Sequence, residues 1–68
     1  MDLKVNGENK SVEAGATLAE LIDKLGIARD ARGIAVAVND AVIPQPSWHK
    51  KSLADGDTIE IIRAVQGG

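Results

Sequence analysis

Cysteine is absent from this sequence, which excludes disulfides and thiolate metal sites. Histidine occurs once, at His49, and a zinc site there would need several carboxylates converging on it. Aromatic residues are almost missing too, with Trp48 standing alone. RNA-recognition sheets and single-strand grooves stack bases on several rings, so neither fits. Nor is there an excess of positive charge. Eight Lys and Arg against ten Asp and Glu give a net charge of −2, and the basic residues are scattered, unlike the footprint of a polyanion binder. No apolar run approaches the ~18 residues of a membrane span, and the first residues show no secretory apolar stretch. The expectation is a soluble, cytoplasmic protein that engages neither nucleic acid nor membrane.

What is present suffices for one small core. The 68 residues make a single domain. Ordering them costs on the order of 100 kcal/mol at ~1.5 kcal/mol per residue, and without a staple apolar burial must offset nearly all of it. Hydrophobic residues make up 44% of the chain, and 18 of the 68 are Leu, Ile or Val. That share lies above the ~20% below which chains stay disordered.

The pattern along the chain divides into short elements. Met1 to Asn6 alternates, with Leu3 and Val5 on one face and Asp2 and Lys4 on the other, which predicts a half-buried strand. Asn6-Gly7 is a hairpin turn, because both residues tolerate positive φ. A second strand is expected over Lys10 to Glu13, with Val12 inward. Thr17 and Glu20 have the spacing of a capping box, and Leu18, Leu21, Ile22 and Leu25 then form one apolar helical stripe. Gly26 is placed to end the helix in a left-handed conformation. Ile34 to Asn39 reads as a third strand, with Ile34, Val36 and Val38 on one face and Ala35 and Ala37 on the other. Asn39-Asp40 turns into a short fourth strand, Ala41 to Ile43, which Pro44 ends. Ser47 is a candidate cap for one helical turn around Trp48, which is expected to plug an edge of the core. Asp55-Gly56-Asp57 is another turn, and Thr58 to Val65 the last strand, with Ile59 and Ile61 opposite Thr58, Glu60 and Ile62. One helical stripe must lie on one face of this sheet. The order fits a two-layer α+β domain of β-grasp type, a mixed sheet of four to five strands with one main helix packed on one face. The domain is expected to span residues 1–65, with 66–68 a flexible tail.

Nothing in this pattern builds an active site. His49 sits between Trp48 and Lys50 in a loop, where a solvated role is the ordinary one. The glycines follow no phosphate-loop spacing. Asp55 and Asp57 read as turn formers, and no metal site is expected. The remaining feature is the sequence Arg63-Ala64-Val65-Gln66-Gly67-Gly68. Glycines in such a position are commonly a frayed end. They also have a particular capability. Two residues without Cβ can thread a channel too narrow for any side chain and present a carboxyl carbon inside another protein's site.

Several segments are characteristic when taken together: Val5-Asn6-Gly7-Glu8, Gly15-Ala16-Thr17-Leu18-Ala19-Glu20-Leu21, Ala35-Val36-Ala37-Val38-Asn39, Val42-Ile43-Pro44 with Trp48, Leu53-Ala54-Asp55-Gly56-Asp57, and Ala64-Val65-Gln66-Gly67-Gly68. In this order they resemble the thiamine-biosynthesis sulfur-carrier (ThiS) family of ubiquitin-like β-grasp proteins. Each segment is weakly specific, but their order and spacing over essentially the whole chain are strongly so. Gln66 departs from the small residue that family tails often carry there.

The resemblance implies a carrier rather than an enzyme. The Gly68 carboxylate would be adenylated by an E1-like (ThiF-like) adenylyltransferase that consumes ATP. Sulfur from a persulfide donor would then replace AMP, leaving a thiocarboxylate that passes its sulfur to a ThiG-like thiazole synthase. A thiocarboxylate is an anionic sulfur nucleophile at neutral pH, a property that cysteine gains only when its pKa is lowered. In this reading Gly67 and Gln66 thread into the partner sites, and Ala35, Ala37, Ile62 and Val65 form the partner surface. The carrier binds no cofactor of its own and is a monomer when free. Three other readings stand beside it: the small subunit of molybdopterin synthase, another ubiquitin-like carrier or protein modifier, and a β-grasp module that only binds. Molybdopterin synthase subunits tend to be longer, with more aromatics before the tail.

Overall fold

The computed structural model describes residues 1–28 and 33–63. Strand β1 (Asp2–Val5) buries Leu3 and Val5 and exposes Asp2 and Lys4, as the alternation requires. Asn6 (φ 50°) and Gly7 (φ 83°) then take left-handed backbone, the geometry whose twist suits a two-residue hairpin. Such a turn pairs its flanking residues directly, Val5 with Glu8, so β2 runs Glu8–Ser11 rather than Lys10 to Glu13. Every β2 side chain is exposed. Val12 follows the strand and does face inward. Its N–H donates to the Met1 carbonyl at 2.9 Å, and the Met1 ammonium donates to the Val12 carbonyl at 2.7 Å.

Helix α1 (Leu18–Lys24) carries the expected capping box. The Glu20 N–H donates to Thr17 Oγ1 at 3.3 Å, and the Thr17 N–H donates to Glu20 Oε1 at 3.1 Å. The two free donors before Glu20 are met from a distant loop. Leu18 N–H reaches the Lys51 carbonyl at 2.8 Å, and Ala19 N–H the Trp48 carbonyl at 3.1 Å. At the other end Gly26 (φ 77°) makes a Schellman turn. Its N–H donates to the Asp23 carbonyl at 3.0 Å, and Ile27 N–H to the Ile22 carbonyl at 3.2 Å, which swings Ile27 back into the core.

Strands β3 (Ile34–Val38) and β4 (Ala41–Val42) are joined by Asn39 and Asp40, both with positive φ, and each ends one residue before the expected boundary. Strand β5 (Thr58–Arg63) completes the sheet; residues 64 and 65 of its expected extent lie outside the described residues. The order is β2-β1-β5-β3-β4, with β1 and β5 parallel in the middle and the other pairs antiparallel. This is the mixed five-stranded sheet of a ubiquitin-like β-grasp fold, with α1 on one face. The proposed boundary between residues 65 and 66 also falls outside the described residues.

Between β4 and β5 the chain makes one 3₁₀ turn, Gln45–Ser47. Ser47 does not cap it but closes it, donating its N–H to the Pro44 carbonyl at 2.8 Å. Pro46 fixes the turn this early, since a first-turn residue needs no N–H. The turn drops Trp48 into the core at 3% exposure, where Nε1–H donates to the Ile43 carbonyl at 2.8 Å. Around it Leu3, Val5, Leu18, Leu21, Ile22, Val36, Val38, Leu53 and Ile59 are buried. Each large side chain taken out of water contributes about 1.5–3 kcal/mol. Leu25, Ile34 and Ile61, expected in this core, are only half-buried at its margin. The helix turns away at Leu25, so nothing in the described chain covers them fully.

Candidate functional site

The residues expected to carry and thread the transfer chemistry, Gln66, Gly67 and Gly68, lie outside the described residues, as does Val65 of the expected partner surface. The strand that leads to them and the surface beside it are well defined. On the sheet face opposite α1, Ala35 lies across from Ile62 and Ala37 across from Glu60 in the β3–β5 ladder. On the other side of β3, Ala37 lies across from Val42. Directly opposed residues share a face, so Ala35, Ala37, Ile62, Val42 and Glu60 form one continuous surface.

This surface is apolar in an unusual way. Ile62 is 58% exposed and Val42 70%, the only large hydrophobic side chains among the described residues so displayed. The alanines between them keep the relief low, and Glu60 supplies a single charge. Across the remaining strands the same face turns polar, with Thr58, Lys4, Asn9, Asp2 and Ser11 in register. One half of the face is thus apolar and of low relief, and the other an ordinary solvated surface.

Ala35, Ala37 and Ile62 are therefore brought together as the sequence predicts, with Ala37 half-buried. Glu60 shares this face as the alternation of the last strand requires, while Val42 joins it without having been expected there. The signal for Val42 lies in the Asn39-Asp40 turn: two turn residues pair Val38 with Ala41 and hence Ala37 with Val42.

Two asparagines fix β5 within the sheet. Asn39 takes the Thr58 N–H on Oδ1 at 3.0 Å and donates from Nδ2 to Asp57 Oδ1 at 2.9 Å. The other Asp57 oxygen accepts the Ala54 N–H at 2.8 Å. These two bonds, the Ala54 one first, hold the Asp57 carboxyl below its ordinary range against the opposing effect of burial, with a lesser contribution from the Lys51 charge. Asp57 is thus a turn brace, as its sequence context implies. Asn6 engages the far end of β5, with Oδ1 accepting the Ile61 N–H at 2.8 Å and Nδ2 donating to the Ile61 carbonyl at 3.3 Å.

His49 is exposed beside the buried Trp48. Among the described residues no three His, Asp or Glu side chains converge as metal ligands would. Among the same described residues no helix is long and apolar enough to cross a membrane.

Comparison with known proteins agrees with this architecture. Residues 3–68 match the model of the ThiS family. The sulfur carrier protein ThiS of Escherichia coli is 32% identical over 68 residues, the whole of both chains. A thiazole synthase of Paramagnetospirillum magneticum is 35% identical over all 68 residues, which amount to 20% of its length. The chain thus spans about a fifth of that protein. Among solved structures, the crystal structure of the thiamine biosynthesis protein ThiS from Geobacter metallireducens superimposes with a TM-score of 0.83 at 28% identity, covering all of both chains. By its fold, and by a family match running from Leu3 through Gly68, this chain belongs to the ThiS family.

Proposed function

We propose that this chain is the sulfur carrier of thiazole assembly in thiamine biosynthesis, working as a co-substrate of partner enzymes. The observation that carries the reading is the match to the ThiS family from residue 3 through Gly68, Gly67-Gly68 included. In this scheme an E1-like, ThiF-like adenylyltransferase joins the Gly68 carboxylate to AMP from ATP, releasing pyrophosphate. A persulfide sulfur attacks the activated carbonyl and AMP leaves. A thiol then attacks the donor's sulfur in the resulting acyl disulfide, forming a disulfide with the donor and freeing the Gly68 thiocarboxylate. A ThiG-like thiazole synthase accepts that sulfur, and an oxygen from the acceptor or from water takes its place on the acyl carbon, regenerating the carboxylate.

The division of labour follows from side-chain size. Gly67 and Gly68 present no Cβ to a narrow channel, and Gln66 threads in behind them, where its side chain tunes the fit. The patch of Ile62, Val42 and Ala35, with the half-buried Ala37 between them, gives a partner enzyme something to grip. The carrier holds no cofactor of its own and works as a monomer in the cytoplasm, the ATP being spent by the adenylyltransferase. The similarity to thiazole synthases over the full 68 residues supports a partner of that kind.

Complementation tests this pathway assignment. Expression in a strain lacking its own thiazole sulfur carrier should restore growth without added thiazole. It should fail to restore a strain lacking the small subunit of molybdopterin synthase. The opposite pattern would transfer the chain to molybdopterin assembly.

A further inference from the structure

The turn between β1 and β2 does more than reverse the chain. Asn6 is the residue at which β1 leaves the sheet, its φ of 50° being left-handed. Its own N–H still donates to the Ile59 carbonyl at 2.9 Å, the last main-chain bond of the parallel β1–β5 ladder. A parallel strand running on past this point would offer Ile61 a carbonyl and, two residues later, an N–H. The backbone has turned away, so neither is there. The Asn6 carboxamide supplies both, accepting from the Ile61 N–H at 2.8 Å and donating to its carbonyl at 3.3 Å. One side chain thus stands in for two residues of strand.

On its other side, β5 stays paired with β3 as far as Arg63 opposite Ile34. Main-chain groups of successive strand residues point alternately to the two neighbours, so those of Ile61 face the β1 side. There the Asn6 carboxamide is what holds them. Ile62, the exposed anchor of the patch, is the next residue, and residues 64–68 follow directly on Arg63.

We propose that Asn6 is a positioning residue for sulfur loading. By clamping Ile61 it fixes the direction in which the chain leaves β5 relative to the Ile62 patch that a partner grips. The proposal rests on the carrier reading above. A loose strand end leaves the patch available for binding but lets the acyl carbon wander from the reactive position. Loss of the clamp should therefore lower kcat while KM for the carrier stays the same, whereas damage to the patch raises KM.

Two variants separate this role from simple stability. Asn6→Gly keeps the left-handed turn at no steric cost and removes both bonds. Asn6→Asp keeps an acceptor for the Ile61 N–H and loses the donor to its carbonyl. Hydrogen exchange at the Ile61 amide should accelerate by at least about tenfold in Asn6→Gly, with Leu21 and Val36 amides unchanged, and much less in Asn6→Asp. With an E1-like adenylyltransferase, ATP and a sulfur donor, Asn6→Gly should load with kcat roughly tenfold lower at unchanged KM, and Asn6→Asp should fall between it and the wild type. Faster Ile61 exchange with wild-type kcat would overturn the proposal, as would unchanged Ile61 exchange. A wild-type chain that never loads sulfur would refute the carrier reading itself, a failure seen before any variant is compared.

Discussion

Ala35 stands directly opposite Ile62 across the β3–β5 ladder, and the small side chain leaves the isoleucine 58% exposed on the sheet face away from the helix. An aliphatic side chain that supports no core contact is free to serve a partner. Ile62→Asp should leave unfolding free energy within about ±0.5 kcal/mol of wild type, as surface changes do. It should lower kcat/KM for adenylation at least tenfold, the equivalent of about 1.4 kcal/mol of binding. Val42→Asp, on the same patch, should act in the same sense. Unimpaired adenylation in both variants would remove the patch from the partner surface.

Trp48 is the reverse case, a large side chain fully committed to the core. Native emission should be blue-shifted and poorly quenched by acrylamide. Trp48→Phe keeps most of the apolar surface but strips the donor from the Ile43 carbonyl. Leaving that partly buried group unpaired should cost about 1 kcal/mol in urea unfolding. A red-shifted, readily quenched native spectrum would contradict the packing.

Asp57 sets the acid behaviour of the β3–β5 end. Its folded pKa lies below the ordinary carboxylate value because the ionised form accepts from Ala54 and Asn39. A depressed folded pKa adds stability that is fully present above the unfolded value of about 3.9 and disappears as pH falls through the folded one. The stability gap between wild type and Asp57→Ala should accordingly be constant from pH 7 to about 5 and shrink below about 4. A gap that widened in acid would reverse the assigned sign.

Much of this fold is written in local pairs. Thr17 and Glu20 announce the helix start because both partners of the capping box lie within one turn. Asn6-Gly7 and Asn39-Asp40 announce the hairpins because only such residues accept left-handed backbone cheaply. The miss at β2 came from stopping there: a two-residue turn also dictates register, which starts the strand at Glu8 and puts Val42 beside Ala37. Periodicity named the inward face correctly but not distance from the core centre, so Leu25, Ile34 and Ile61 were expected deeper than they lie. Ile27 was overlooked because its burial depends on the Schellman turn around Gly26. The grip of Asn6 on Ile61 spans 55 positions, and no local pattern reveals a side chain that replaces a strand. At the candidate site, Ala35, Ala37 and Ile62 were legible through strand alternation alone. The threading capability of Gly67 and Gly68 was legible in their missing Cβ, whereas the sulfur chemistry expected of Gly68 came from resemblance, since glycine carries no side-chain chemistry to read.

The central claim is that sulfur travels on the Gly68 carboxylate. Wild type and a variant lacking Gly68 should each be incubated with the adenylyltransferase, ATP and a persulfide donor, and the intact proteins then weighed. Wild type should gain the mass difference of one oxygen exchanged for sulfur, and the shortened chain should gain nothing while unfolding at the same urea concentration. A shortened chain that acquired sulfur at the wild-type rate would contradict the account.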